Sequence, residues 1–244
     1  LDLVDPSEDF SVSMFQEAAR KTLDELAVRS CRAVLVGGTG LHVRAVVDDL
    51  EIPGQWEEVR ADLEVEADTV VLHDRLSELD PVAAVRMEPT NRRRVIRALE
   101  VSIGSGRPFS SFGPGLEAYP PSPFTQIGLR VDREVLDRRI AERYRRQLDD
   151  GFLDEVRRLI DLPRGPSRSA AQALGYRELL SHLRGECTLD RAIGEAISAT
   201  RQFARRQERW FRRDPRIEWL DVADDPLVVL DQVLERFDAT GPQR

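Results

Sequence analysis

Apolar residues near the start of the chain recur at helical spacing. Phe15, Ala18, Ala19, Leu23 and Leu26 would share one face, and Ser11 or Ser13 stands where a helix start needs a cap, Ser13 with Gln16 reading as a capping box. The period then changes. Ala33-Val34-Leu35-Val36 is an unbroken apolar run, closed by Gly37-Gly38-Thr39-Gly40 and followed by a helical pattern from Leu41 to Val47. A short apolar run ended by glycine predicts a strand buried on both faces, as in a parallel sheet. Helix, strand, glycine loop and helix in that order belong to α/β proteins.

Near residue 50 the pattern shifts again. Pro53-Gly54 breaks the chain, and residues 55–103 predict helices with no convincing strand. Asp80-Pro81 starts one helix; Asn91 caps the next, from Arg92 to Ser102, before Gly104-Ser105-Gly106 ends it. A loop rich in Pro, Gly and Ser runs from Gly106 to Pro123. Alternation returns at Gln126–Val131, a strand, and Asp132 caps a helix with Val135, Leu136, Ile140, Tyr144 and Leu148 on its inner face. Val156, Leu159 and Ile160 mark a second helix, Ala173 to Glu178 a helix start, and Leu189 to about Arg213 a long helix. Ile217-Glu218-Trp219-Leu220 predicts a last strand and 226–238 a closing helix. The chain therefore divides into an α/β core, 1–49 and 124–244, and a helical insertion at 50–123.

Composition narrows the class. The 244 residues suffice for a sizeable core, and 41% hydrophobic with 33% charged residues is ordinary for a globular protein. No apolar run approaches the ~20 residues of a membrane span, and no basic-then-apolar leader stands at the start. Cys31 and Cys187 have no partner at metal spacing and read as free thiols, so a cytoplasmic protein is expected. The net charge of −8 argues against nucleic acid until its distribution is considered. Lys21 is the sole lysine, and arginines concentrate at 92–97, 138–146 and 201–216. Guanidinium forks suit phosphate. On residues alone, these clusters are equally well explained as solvated helix faces, and the glycine loop as a turn with no ligand.

Several segments together resemble one family, the bacterial tRNA dimethylallyltransferases. They are Asp5-Pro6 with Phe10-Ser11-Val12 and Phe15; Val36-Gly37-Gly38-Thr39-Gly40-Leu41; Val59-Arg60; Asp80-Pro81-Val82-Ala83-Ala84; and Arg94 to Val101. Further on come Arg139-Ile140-Ala141-Glu142-Arg143, Gly151 to Val156, Leu174-Gly175-Tyr176-Arg177-Glu178, and Thr200 to Gln207 with Trp210-Phe211. The resemblance implies transfer of a dimethylallyl group from its diphosphate to N6 of adenosine 37 in tRNAs reading codons that begin with U. It also implies a P-loop NTPase-like parallel-sheet core with an inserted helical domain on the anticodon stem-loop, Mg²⁺ on the diphosphate, and a monomer when complete. The family's Walker-like loop and general-base aspartate have no counterpart here, because residue 1 corresponds to a point downstream of both; either the chain is an N-terminally truncated piece of a longer protein, the favoured reading, or the enzyme is inactive as given. Smaller departures from the family are His42, Asn91, Arg93 and Gln147.

Carried over residue by residue, Arg143 and Thr39 are the catalytic candidates. Arg143, Gly37, Gly38 and Arg201 would bind diphosphate; Thr39, Arg60, Arg93, Arg94, Val95, Ile96, Arg97, Gln172, Ala173, Leu174, Gly175, Tyr176 and Arg177 would meet tRNA. A target base in an anticodon loop must leave its stack to react, and loop bases and phosphates then carry recognition. Two rival functions remain open on the residues: a P-loop kinase fragment, which Lys21 in mid-helix serves poorly, and a non-catalytic RNA-binding remnant. On the same footing, Thr39 is also a plausible helix cap and Tyr176 a core aromatic.

Overall fold

The computed structural model describes residues 3–223 and 225–239. Its elements run α1 (Val12–Val28), α2 (Gly40–Val47), α3 (Glu57–Val65), α4 (Thr69–Leu79), α5 (Pro81–Val85), α6 (Arg92–Ser105), β1 (Gln126–Val131) and α7 (Arg133–Asp149). Then follow α8 (Phe152–Ile160), α9 (Arg168–Ala171), α10 (Tyr176–Leu183), α11 (Leu189–Phe211), β2 (Ile217–Val222) and α12 (Leu230–Ala239), with 3₁₀ turns at Phe109–Ser111 and Pro226–Val229. Two compact units result, one of Leu1–Val43 with Ser122–Arg244 and one of Arg44–Pro121.

In the first unit β1 and β2 pair in parallel over six residues each, from Gln126 opposite Ile217 to Val131 opposite Val222. Parallel neighbours require a crossover, and α7 to α11 supply it. Asp132 caps α7 by accepting from Glu134 N and Val135 N, and Thr188 caps α11 through Arg191 N. These two helices with α8 and α10 bury Ile140, Tyr144, Phe152, Val156, Leu179, Leu180, Ala192 and Ala196 in one cluster. Each fully buried aliphatic side chain there contributes about 1.5–3 kcal/mol. At the other end, Ser11 caps α1 by accepting from Met14 N.

The second unit consists of helices and loops, with no strand among its described residues. Asn91 caps α6, and Gly106 ends it at φ +71°, a left-handed conformation that glycine adopts without strain. Leu63, Leu72, Leu76, Ala84, Val95, Ile96, Ala98 and Leu99 form its core. Arg44 is buried; it pairs with Asp48, donates to Leu116 O at 3.0 Å and Ala118 O at 2.7 Å, and lies over the Tyr119 ring. The loop of Pro, Gly and Ser is thereby strapped to the unit.

One expected element is overturned. Residues 33–36 form no strand, and Val34 and Val36 are 71% and 87% exposed. A strand is completed by its neighbours, and among the described residues β1 and β2 pair only with each other. The run has the pattern of a strand without a partner. At the chain's other end, the closing helix expected over 226–238 begins as a 3₁₀ turn and becomes α-helical only from Leu230.

Candidate active site

A cleft of about 440 Å³ opens in the first unit between α7, α11 and the approach to α10. Ile140, Arg143 and Gln147 lie three or four residues apart on α7, hence on one face, with Tyr144 beside Arg143 and four residues from Ile140, and Thr200, Phe203 and Gln207 share a face of α11 in the same way. Leu174 and Tyr176 close the third side. Most of this wall is fixed. Tyr144 Oη and Thr200 Oγ1 share a buried hydrogen bond of 2.8 Å that ties α7 to α11. Tyr176 packs edge-on against Phe152 with ring centroids 4.9 Å apart, and its hydroxyl donates to Glu155 Oε1 at 2.5 Å. Burial, reinforced by the hydrogen bond to Glu155 and that carboxylate's charge, pushes the Tyr176 phenol up to about 12. Burial also raises Tyr144, against the smaller opposing pull of its bond to Thr200. Both phenols stay protonated at neutral pH, so neither is a base.

Gly175 explains how the loop before α10 fits. Its φ is +89°, and a Cβ there would come within 3.0 Å of both Phe152 Cε1 and Tyr144 Cε1. Glu178, itself buried, accepts from Gly175 N at 2.9 Å and from Arg177 Nε at 3.0 Å. Arg177 is thus paired, while Gln172 is exposed and Ala173 half-buried.

Against this fixed wall Arg143 is the exception. It is exposed and, among the described residues, makes no side-chain hydrogen bond or ion pair. The glycine loop reaches the same wall indirectly, through Gln207, whose Nε2 donates to Gly38 O at 2.7 Å. Thr39 is exposed, and its hydroxyl caps nothing; only its carbonyl is bonded, by Val43 N at 3.0 Å. Gly37 is exposed beside it. Arg201 is not brought into the cleft: its guanidinium donates to Asp137 O at 3.1 Å and lies 3.8 Å from the Asp137 carboxylate. His42, in the first turn of α2, packs edge-on against Phe15 with its Nδ1 unpartnered among the described residues, and burial lowers its pKa.

In the second unit the α6 candidates separate into three kinds. Arg93 and Arg94 are exposed with no side-chain partner among the described residues. Val95 and Ile96 are 0% and 3% exposed, so their side chains pack inward and cannot reach RNA. Arg97 donates to Glu100 Oε1 at 2.7 Å and to Pro53 O at 2.9 Å. Arg60 bonds Glu64 at 2.9 Å and approaches Glu100 Oε2 at 3.5 Å. Glu100, 1% exposed, also accepts from Trp56 N at 3.0 Å.

Among the described residues no three His, Cys, Asp or Glu side chains gather where a metal could sit. The cleft's two carboxylates are Asp150 and Glu155, and Glu155 already receives the Tyr176 hydroxyl. These residues do not fit a resident Mg²⁺ site.

The family model for IPP transferase matches residues 1–214 of this sequence. The chain belongs to the IPP transferase family. A tRNA dimethylallyltransferase of Paenarthrobacter aurescens is 48% identical over 231 residues, covering 93% of this chain and 74% of the relative. The tRNA isopentenylpyrophosphate transferase of Bacillus halodurans superposes with a TM-score of 0.66 at 35% identity, over 98% of this chain and 76% of that one. A eukaryotic dimethylallyltransferase acting on tRNA, 20% identical, shares the fold with a TM-score of 0.69 over 99% of this chain and 65% of that one. The small parallel sheet with its helices is the P-loop NTPase-like fold of these IPP transferases. Their fold and chemistry were legible in the ordered motifs; the wall pair Tyr144–Thr200 and the contact from Gln207 to Gly38 were not. The one signal for the latter was a pair of glycines at 38 and 40 that no sharp turn requires.

Proposed function

We propose that the chain is a tRNA dimethylallyltransferase whose first-unit cleft receives the allylic diphosphate and the target adenine. The observation that carries this reading is the convergence on one cleft of the unpaired Arg143, of Leu174 and Tyr176 from the Gln172–Arg177 segment, and of Gln207, which holds the glycine loop. An allylic diphosphate loses its leaving group once the developing negative charge is neutralised. A guanidinium free of carboxylates, on a wall otherwise fixed, is suited to that because it need not break an ion pair first. The carbon–oxygen bond to diphosphate breaks as the adenine N6 forms a bond to the same carbon and one N6 proton leaves to a base. Thr39, with its hydroxyl unused, would bond the base or ribose. The aromatic faces of Tyr176 and Phe203 offer stacking for an extruded nucleotide.

Arg93 and Arg94, open to solvent on α6, are the phosphate contacts of the second unit. Arg60 and Arg97 follow as more constrained ones, since Glu100 already holds them. The donor is dimethylallyl diphosphate and the acceptor adenosine 37 of the anticodon loop. Arg143→Ala in the full-length protein tests this reading. Turnover of tRNA with dimethylallyl diphosphate is expected to fall about 10²–10³-fold in kcat, the scale of removing one donor to transition-state charge, with the thermal midpoint unchanged. Wild-type turnover in that variant overturns the assignment of the cleft.

A further inference from the structure

Glycine is needed at two positions of the 37–40 loop for a reason other than backbone freedom. None of Gly37, Gly38 and Gly40 has a positive φ. Space is what they supply. A Cβ on Gly38 would lie 2.3 Å from Gln207 Nε2 and 3.2 Å from its Cδ; one on Gly40 would lie 2.0 Å from Trp210 Nε1 and 2.1 Å from its Cδ1. Gly37 differs, its Cβ meeting only Val43 Cγ2 at an ordinary 3.5 Å. Gln207 and Trp210 stand three residues apart on α11 and so share a face. That face lies directly on the loop, and Gln207 also lines the cleft that holds Arg143.

We propose that Gln207 is a positioning residue for the transfer reaction, fixing the Gly38–Thr39 peptide relative to the wall that carries Arg143. The proposal rests on the reading of the cleft given above. A peptide unit is planar and trans, so its carbonyl and N–H point in opposite directions. With the Gly38 carbonyl held by Gln207 Nε2 at 2.7 Å, the N–H of Thr39, which makes no hydrogen bond among the described residues, is aimed away from the Gln207 amide. The orientation of the Thr39 backbone, and with it the starting point of its side chain, follows from that plane. Trp210 beneath Gly40 keeps the next peptide from tilting. Without the Gln207 donor, the glycine-rich segment would have little to choose one orientation over another, and displacements near 1 Å can cost about a hundredfold in rate.

The test uses the full-length protein with tRNA and dimethylallyl diphosphate. Gln207→Ala is expected to lower kcat about ten- to hundredfold, to leave the KM for tRNA within about twofold, and to keep the thermal midpoint. Gly38→Ala alone gives a similar loss, because its methyl group displaces the amide. Added to Gln207→Ala it causes no further loss, since the atoms it would strike are gone; independent effects would multiply. Wild-type kcat in Gln207→Ala, an effect confined to the thermal midpoint, or losses that multiply in the double variant each overturn the proposal. Arg143→Ala assayed alongside separates the two ideas: if it keeps wild-type turnover, the cleft reading has failed whatever Gln207 does.

Discussion

Arg143 stands on the cleft wall of the first unit with no carboxylate against it, whereas Arg97, on α6 of the second, is bonded to the buried Glu100. Both belong to arginine-rich helix segments that look alike in the sequence. In the cleft the neighbours are locked to one another, Tyr144 to Thr200 and Gln207 to Gly38, and the cation is left open. On α6 one carboxylate gathers two guanidiniums and a backbone N–H, while Arg93 and Arg94 on the same helix remain open. The difference teaches that an arginine's availability is set by what stands opposite it in the fold. A cation already paired must surrender that pairing before it can serve a phosphate.

The comparison breaks most visibly at Glu100. Glu100→Ala leaves Trp56 N without its acceptor, Arg97 with Pro53 O alone and Arg60 with Glu64 alone. Because Arg60 and Arg97 are about a third exposed or less, water compensates in part, and a loss of about 2–3 kcal/mol is expected, read in chemical denaturation as a lower midpoint. Tyr144→Phe is the matching change in the cleft. It leaves Thr200 Oγ1 without its partner and should cost about 1–2 kcal/mol by the same measurement; no change would mean that the bond does not hold α7 to α11. The smallest effect sharpens the contrast within α6. Arg94→Ala should weaken tRNA binding by about three- to tenfold, reduce its salt dependence by about one ion, and leave the denaturation midpoint in place. If Arg97→Ala weakened binding as much with no loss of stability, the division between held and open arginines would be wrong.

Much of the architecture could be read from local pattern. Asn91 and Gly106 bracket α6 because a side-chain acceptor and a left-handed glycine satisfy the ends of a helix wherever it sits. Gln126–Val131 alternates and does become β1. Val34–Val36 carries as strong an apolar signal yet pairs with nothing described, since β pairing depends on a partner the local pattern cannot supply. Arg143, Leu174 and Tyr176 were legible through ordered motifs, and the cleft joins them. Val95 and Ile96 illustrate the limit: motif membership marked them beside Arg94, but helical periodicity turns their side chains into the core. Gln207 was legible only as a motif letter, because its bond to Gly38 spans 169 positions.

The strap made by Arg44 changes what the composition of residues 106–121 would suggest. A segment rich in proline, glycine and serine ordinarily invites digestive enzymes, which need a stretch of slack main chain to thread into their own clefts. Here two of its carbonyls are gripped by one buried guanidinium and Tyr119 lies beneath it, so the segment is presented as a taut belt rather than a hanging cord.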